Sequence, residues 1–214
     1  MPVIHHQALS ADVYELLVEW LLSPACSPGA PLNIDRLAEE WGVSQTPVRE
    51  ALARAATAGV VIREQHKGYR AADILPVEMY QALLDARALV EPYCAGRAAE
   101  VITDSELARL VKFQDTMESV PLGPTVAEYR QYLRSDIGLH RGIMEVAGNP
   151  FLVRAFDNWG IHYFRFQRFR GGAVHDAADS HVEHRAILAA IASHDPDAAR
   201  DAMARHIAGV RSRM

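Results

Sequence analysis

The stretch that most constrains the fold is residues 37–52, LAEEWGVSQTPVREAL, in which a tight turn separates two short helical patterns. The apolar side chains of the first pattern share one helical face: Leu37, Ala38 and Trp41. Gly42 suits the turn because glycine tolerates a positive φ. Ser44 can cap the second helix with its hydroxyl, and Pro47 falls in the first turn, where a missing N–H costs little. These residues predict a helix-turn-helix.

Polar side chains lie at the N-terminal end of the second helix, which a helix-turn-helix protein places in the DNA major groove. Arg49 can contact guanine or a phosphate, and Gln45 can pair with adenine. Ser44 and Thr46 can bind phosphates, and Arg36 on the preceding helix could reach another. The alternative is an ordinary helical hairpin inside a core.

Two short β patterns follow, at residues 60–62 and 69–72, with a polar turn between them. A hairpin directly after a recognition helix is typical of a wing. Its tip, His66-Lys67-Gly68, could enter the minor groove or rest on phosphates, and Gly68 would allow close approach. A surface hairpin with scattered charge is the alternative.

The string at residues 43–52, VSQTPVREAL, resembles the GntR family of bacterial transcription regulators. The usual family string has arginine where this chain has Gln45, a departure that concerns base preference more than fold. The resemblance covers residues 8–73 and implies a winged helix-turn-helix DNA-binding domain. Charge agrees with this: residues 44–73 hold five basic and three acidic residues, in a chain of net charge −5. Non-specific DNA affinity should therefore be modest and strongly salt-dependent.

From Val77 onward the apolar residues recur at helical spacing, and six helices with short loops predict an antiparallel bundle. We expect the first of these helices, residues 77–101, to break at Pro92, and a later break at Gly171-Gly172. The predicted fold class is therefore mainly α, with a winged helix-turn-helix followed by an all-helical bundle at residues 78–210. No long apolar run, no signal-like N-terminus and only two cysteines lead us to expect a cytoplasmic protein with no membrane contact.

Four residues of the bundle could bind a metal ion: Asp136, His140, His184 and His206. Asp136 and His140 are four residues apart on one helix and so share a face. On each helix concerned, these polar residues lie on the face that carries apolar side chains. Buried imidazoles and a carboxylate are costly unless they are paired. A divalent ion such as zinc, nickel or manganese would pair them. The alternative is that each histidine is a surface or hydrogen-bonded core residue.

Strings within residues 78–210 resemble the FCD domain, the effector-binding domain of a FadR/VanR-like GntR subfamily: residues 87–91, 136–140, 148–150, 183–188, 195–199 and 203–207. The resemblance implies that Asp136, His140, His184 and His206 bind a divalent metal ion, with zinc the first choice. His181, one turn from His184, is an alternative ligand.

Three neutral imidazoles and one carboxylate would leave a divalent ion positively charged with open coordination positions, which a carboxylate effector could fill. Arg87 is a candidate second anchor through a bidentate contact. It could equally pair with Glu91, four residues further along the helix. Tyr132, one turn before Asp136, could donate a hydrogen bond into the same cavity or could simply be a core residue. The resemblance implies a small carboxylic acid or sugar acid as effector.

We therefore expect a homodimeric transcription regulator, a repressor, that binds a pseudo-palindromic operator in double-stranded DNA and responds to an effector. One alternative is a metal-dependent enzyme in which the ion activates water. The chain has no HExxH motif and no glycine-rich phosphate loop, which speaks against catalysis. A metal sensor, in which the ion itself is the signal, is the other alternative.

Overall fold

The structure is a computed structural model that describes residues 5–23, 26–120, 126–166 and 177–213. The chain divides into two compact units, residues 1–74 and 75–214. The fold is mainly helical, as predicted. The break expected at Gly171-Gly172 lies outside the described residues. Within the described ranges, no helix combines the length and the hydropathy that crossing a membrane requires.

The N-terminal unit contains three helices and three strands in its described residues: α1 His5–Leu22, β1 Pro31–Leu32, α2 Ile34–Trp41, α3 Gln45–Thr57, β2 Val61–Glu64 and β3 Gly68–Ala71. Helix α1 packs on α3, and the interior includes the fully buried Leu17, Leu21 and Leu52. Helices α2 and α3 are the predicted helix-turn-helix pair, which this core holds in place.

The turn between α2 and α3 confirms the role of Gly42 and corrects that of Ser44. The backbone of Gly42 is left-handed, with φ of 66°, and ends α2. Asn33 caps the N-terminus of α2, where its side chain accepts a hydrogen bond from the backbone N–H of Arg36 at 3.0 Å. Ser44 occupies the N-cap position of α3, but its side chain makes no capping hydrogen bond. Because Ser44 is exposed, water can satisfy the first N–H groups of α3 instead.

The predicted hairpin is present and belongs to an antiparallel sheet of order β1-β3-β2. Val61 pairs with Ala71 and Glu64 with Gly68, which sets the position of the turn. His66 and Gly68 have left-handed φ values of 62° and 93° in that turn. The two-residue strand β1 was not predicted, because so short a strand has no readable alternation of apolar and polar residues.

The C-terminal unit contains six helices in its described residues, as predicted: α4 Val77–Val101, α5 Asp104–Ser119, α6 Val126–Val146, α7 Pro150–Phe166, α8 Ala177–Ala192 and α9 Pro196–Ser212. Helix α4 packs against α6, α7, α8 and α9. The prediction that α4 breaks at Pro92 is wrong. A proline inside a helix costs about 3 kcal/mol. Buried residues on both sides of it, including Arg87, Glu91 and Cys94, hold α4 in place and offset that cost.

Two glycines on α6 allow this helix to lie close to α5. A Cβ atom at Gly138 would lie 2.4 Å from the ring of Phe113, and one at Gly142 would lie 2.6 Å from Leu110 Cδ2. A side chain at either position would therefore displace Phe113 or Leu110, and glycine avoids this displacement. The close approach brings α5 beside the helix that carries Asp136 and His140.

Candidate nucleic-acid interface and metal centre

The predicted DNA contacts all lie on the surface of the N-terminal unit. The following are exposed: Arg36, Ser44, Gln45, Thr46, Arg49, Lys67 and Gly68. Arg49 on α3 and Gly68 on the hairpin line one cleft of about 550 Å³. Arg63 and His66 line the same cleft, and the sequence analysis had not selected Arg63. The structure thus places basic side chains from α3 and from the hairpin around one concave surface.

Gln45, which differs from the residue usual in the resembling family, is bonded to two neighbours. Its side-chain nitrogen donates to the carboxylate of Asp35 on α2. Its oxygen accepts from Arg49 Nη2 at 3.0 Å. Gln45 therefore links α2 to α3 and orients Arg49. A contact between Gln45 and adenine stays a prediction, and it would require exchange of these exposed hydrogen bonds for bonds to the base.

Helices α6, α8 and α9 bring three of the predicted metal ligands together. His140, His184 and His206 are at most 2% exposed, and one candidate ligand atom from each lies within 4.8 Å of the other two. The ring centroids are 4.6 to 5.3 Å apart. Asp136 is buried beside them, with Oδ1 3.6 Å from His184 Nε2. We call His140, His184 and His206 the histidine cluster.

Each ring of the histidine cluster has an acceptor for its Nδ1 atom. Glu91 Oε2 lies 2.7 Å from Nδ1 of His140, and Glu183 Oε2 lies 2.8 Å from Nδ1 of His206. Gln114 Oε1 lies 3.1 Å from Nδ1 of His184. A proton on Nδ1 leaves Nε2 with a free lone pair, the form in which imidazole binds a metal.

The remaining ring nitrogens fit a metal ion. In the described part of the chain, the buried Nε2 atoms of His140 and His184 have no hydrogen-bond partner. A buried polar atom without a partner is costly, and a divalent ion would satisfy these two nitrogens at once. Buried imidazoles beside a carboxylate form a donor set suited to zinc or a similar ion.

The acceptors behind the cluster were largely missed by the sequence analysis. Gln114 is 70 residues from its partner His184, and nothing in the local pattern connects the two. Glu183 directly precedes His184 but bonds His206 on α9, which a helical spacing rule cannot predict. Glu91 had been identified only as a partner for Arg87.

The two predicted effector contacts are both buried. Arg87 forms an ion pair with Glu91, with Nη2 3.2 Å from Oε2 and a second contact through Nε. The pairing alternative is therefore the one present in this structure. Tyr132 is 4% exposed, and its ring lies 5.8 Å from that of His181. His181, the alternative ligand, is not part of the histidine cluster.

Burial controls the protonation of His184 and His206. It lowers the pKa of His184 well below the usual value, and the neighbouring histidines lower that pKa further. Burial also lowers the pKa of His206. The hydrogen bond to Glu183 raises this pKa, but by less than burial lowers it. Burial would raise the pKa of Glu91, but Arg87 and His140 outweigh it, so this pKa lies well below its usual range. The lowered pKa values favour neutral rings at His184 and His206, which is the state that metal binding requires of an imidazole.

Comparison with known families shows two matches. Residues 82–209 match the FCD domain, and residues 9–70 match the family described as bacterial regulatory proteins, gntR family. The HTH-type transcriptional repressor NanR of Cronobacter sakazakii is 30% identical to this chain in an alignment 231 residues long. The alignment covers 94% of this chain and 84% of NanR. A Paenarthrobacter nicotinovorans protein, described as a probable D-xylose utilization operon transcriptional repressor, is 27% identical, with 94% of this chain and 86% of that protein covered.

Solved structures share the fold. The structure of Escherichia coli McbR/YncC superposes with a TM-score of 0.79 at 19% identity, and the match covers 95% of each chain. A solved FCD domain described as metal-free has a TM-score of 0.50 at 15% identity, with 64% of this chain and 92% of that chain covered. Both likenesses concern the fold alone.

We expect the metal-free protein to lose stability as the pH falls below about 6.5. Below this pH, His184 and His206 become protonated in the unfolded chain but stay neutral in the folded chain, because folding lowers their pKa values. Each such histidine reduces the free energy of unfolding by at most about 1.4 kcal/mol per pH unit, over the pH range in which the folded chain keeps it neutral. The carboxylates that bond the cluster, Glu91 and Glu183, also have lowered pKa values, but they lose their contribution only below pH 4.5, outside this window.

Urea denaturation in the presence of a chelator, between about pH 7.5 and 5.5, measures this dependence. The variant His184→Gln should show a smaller decrease over the same range, because one of the two histidines is absent. Equal pH dependence in the two proteins would contradict the lowered pKa of His184.

Proposed function

The chain belongs to the GntR family of bacterial transcription regulators and carries an FCD domain, and from that premise we propose a metal-dependent, effector-controlled repressor. It is a transcription regulator and not an enzyme. We assign DNA binding to residues 8–73 and effector binding to residues 78–210. The observation that carries the effector site is the histidine cluster, with every Nδ1 bonded to an acceptor.

A divalent metal ion is the ligand that best suits this cluster. His140, His184 and His206 would supply imidazole nitrogens, and Asp136 would supply a carboxylate oxygen. We favour zinc, with nickel or manganese as alternatives that the same donor set accommodates. The bound ion would supply a positive charge that attracts an anionic ligand. Arg87 would act behind the site, where its ion pair with Glu91 holds the acceptor for His140 in place.

The effector is proposed to be a small carboxylic acid or a sugar acid. Three neutral imidazoles and one aspartate do not neutralise a divalent ion, so a carboxylate would complete the charge balance. The relative described as a probable D-xylose utilization operon transcriptional repressor supports a ligand derived from a sugar. Tyr132, on the helix of Asp136 and His140, is the candidate effector contact on the protein side.

The N-terminal unit is proposed to bind operator DNA in the cytoplasm. The N-terminal end of α3 would enter the major groove, with Arg49 on a base edge and with Ser44, Gln45 and Thr46 around it. The hairpin tip at Lys67 and Gly68 would lie on the minor groove or its phosphates, and Arg36 would bind a phosphate. The cleft shared by α3 and the hairpin supports this arrangement.

We propose that a second copy of the chain covers an apolar stripe on α4. The stripe consists of residues spaced by three and four: Met79, Ala82, Ala86, Leu89 and Tyr93. Leu89 is 80% exposed, Met79 is 57% exposed and Tyr93 is 50% exposed. These three large apolar side chains lie on one helix face. This spacing is typical of helices that pack on one another. A two-fold axis near Ala86 would place Met79 of one copy against Tyr93 of the other, and two copies suit a palindromic operator.

The variant His206→Ala tests the metal site. Loss of a residue that supports a metal ligand typically weakens metal binding by about 10- to 100-fold. His206→Ala removes a ligand itself, so we expect its zinc affinity to fall by more than this. Metal analysis and competition with a chelator measure the affinity, and fluorescence anisotropy of labelled operator measures release by candidate acids.

His194→Ala is the matched control, since His194 bonds the carbonyl of Ala99 outside the cluster. Unchanged metal content and effector response in His206→Ala would overturn the metal site. DNA affinity that changes with metal alone would instead identify a metal sensor.

The variants Arg49→Ala and Lys67→Ala separate base reading from phosphate contact. Arg49→Ala should cost about 1–3 kcal/mol of operator binding and relax selectivity at one base pair. Lys67→Ala should weaken binding to all sequences and reduce the salt slope by about one. Anisotropy at several salt concentrations, with Arg109→Ala on α5 as control, measures both effects. Wild-type affinity in Arg49→Ala would rule out its contact with a base.

The variant Leu89→Glu tests the dimer face. A charge in the centre of a packed apolar stripe should dissociate the dimer, which sedimentation velocity would detect as a loss of mass. Val182→Glu places the same charge on α8 at a side chain that is 71% exposed and should leave the dimer intact. A dimer that survives Leu89→Glu would place the interface elsewhere.

A further inference from the structure

The acceptor for His184 differs in kind from the other two. His140 and His206 face the carboxylates of Glu91 and Glu183. An ionised carboxylate has no proton, so it accepts hydrogen bonds and cannot donate them. His184 faces Gln114, which is fully buried and whose amide could either donate or accept. The tautomer of His184 therefore depends on which way the amide of Gln114 points.

The orientation of Gln114 is set by Glu118, which lies one turn further along the same face of α5. Its Nε2 atom donates to Glu118 Oε1 at 2.8 Å. Arg185 on α8 donates to the same carboxylate, with Nε 2.8 Å from Oε1 and Nη2 2.7 Å from Oε2. The hydrogen bonds from Arg185 and Gln114 lower the pKa of Glu118 to about 2. Glu118 is therefore ionised and can only accept.

The direction of each bond then follows from the one before it. Because Glu118 accepts, the amide nitrogen of Gln114 must face it, and the amide oxygen must face His184. Because that oxygen accepts, Nδ1 of His184 must carry the proton. The lone pair of His184 is then on Nε2, the buried atom that lies in the histidine cluster and 3.6 Å from Asp136. A reversed amide would place its oxygen against a carboxylate.

We propose that Gln114 and Glu118 are positioning residues that hold His184 in the tautomer with its Nε2 lone pair directed into the cluster. The consequence for metal affinity rests on the proposed metal site, whereas the tautomer is a property of the metal-free protein. We call the hydrogen-bonded series Arg185, Glu118, Gln114 and His184 the relay. Its outer side chains are 35% exposed at Glu118 and 44% exposed at Arg185, and its inner end is the fully buried ring of His184.

The variant Glu118→Lys reverses the polarity of the relay. A lysine donates, so the amide of Gln114 should turn its oxygen toward residue 118 and its nitrogen toward His184. His184 should then carry its proton on Nε2 and lose its ligand lone pair. Asp115→Lys is the matched control: it makes the same charge change on the same helix and removes another partner of Arg185, 2.7 Å away.

The double variant Gln114→Glu with Glu118→Lys provides a rescue. A glutamate at 114 accepts from His184 whatever residue 118 donates, and Glu and Lys four residues apart on a helix attract one another. The wild-type tautomer should therefore return even though both relay residues have changed. A relay that served only to stabilise the fold would not show this pattern, and thermal unfolding of each variant reports on the fold separately.

Two measurements test the proposal. Two-bond proton–nitrogen NMR of metal-free protein labelled at histidine reports which nitrogen of His184 is protonated. We expect Nδ1 in the wild type, in Asp115→Lys and in the double variant, and Nε2 in Glu118→Lys. Competition with a chelator should show zinc affinity about 10- to 100-fold weaker in Glu118→Lys, with affinity recovered in the double variant and little changed in Asp115→Lys.

The outcomes separate this inference from the proposed function. If Glu118→Lys keeps the Nδ1 proton, or if Asp115→Lys shifts it equally, the relay is wrong, whether or not zinc binds. If the tautomers change as expected but the wild type binds no zinc, nickel or manganese, the relay stands and the metal site falls. If zinc affinity falls in Glu118→Lys without a change of tautomer, charge alone acts on the site, which also overturns the relay.

Discussion

The structure of the helical unit depends on burying three imidazole rings in one place. Each ring gives up water at both nitrogens, so each nitrogen needs a partner inside the protein. Acceptors on α4, α5 and α8 satisfy the three Nδ1 atoms, and the Nε2 atoms of His140 and His184 are left without a hydrogen-bond partner among the described residues. Five of the six helices described for this unit contribute a ring or an acceptor. The packing of these helices therefore sets the geometry of the candidate site.

An arginine stands behind each acceptor. Arg87 pairs with Glu91, Arg213 pairs with Glu183, and Arg185 reaches Gln114 through Glu118. These arginines keep the carboxylates ionised and correctly oriented, which in turn fixes the proton on each ring. In the proposed regulator, α4 carries both Glu91 and the stripe assigned to the dimer face. A ligand at the cluster would therefore act on a helix that also meets the second copy, which provides a physical basis for coupling.

In the N-terminal unit, the contacts of Gln45 explain how a departure from the family string can be accommodated. The side chain joins Asp35 on α2 to Arg49 on α3 and so orients the arginine at the end of the helix. In the proposed DNA complex, Gln45 would act on base preference through Arg49 as well as by direct contact. These hydrogen bonds are exposed, so exchanging them for bonds to DNA costs little.

The sequence by itself determined the features that depend on local spacing. These are the helix-turn-helix with its glycine turn, the hairpin, the six-helix pattern and the inward faces that carry His140, His184 and His206. Only the tertiary structure decided what depends on contacts between distant segments. Packing on both sides overrode the expected break at Pro92, and the two-residue strand β1 exists only because β3 pairs with it. Glu91, Gln114 and Glu183 became partners of the histidines through helix packing that no local periodicity records. The ion pair of Arg87 likewise depends on the three-dimensional position of Glu91, which in this structure pairs with Arg87 and His140 together.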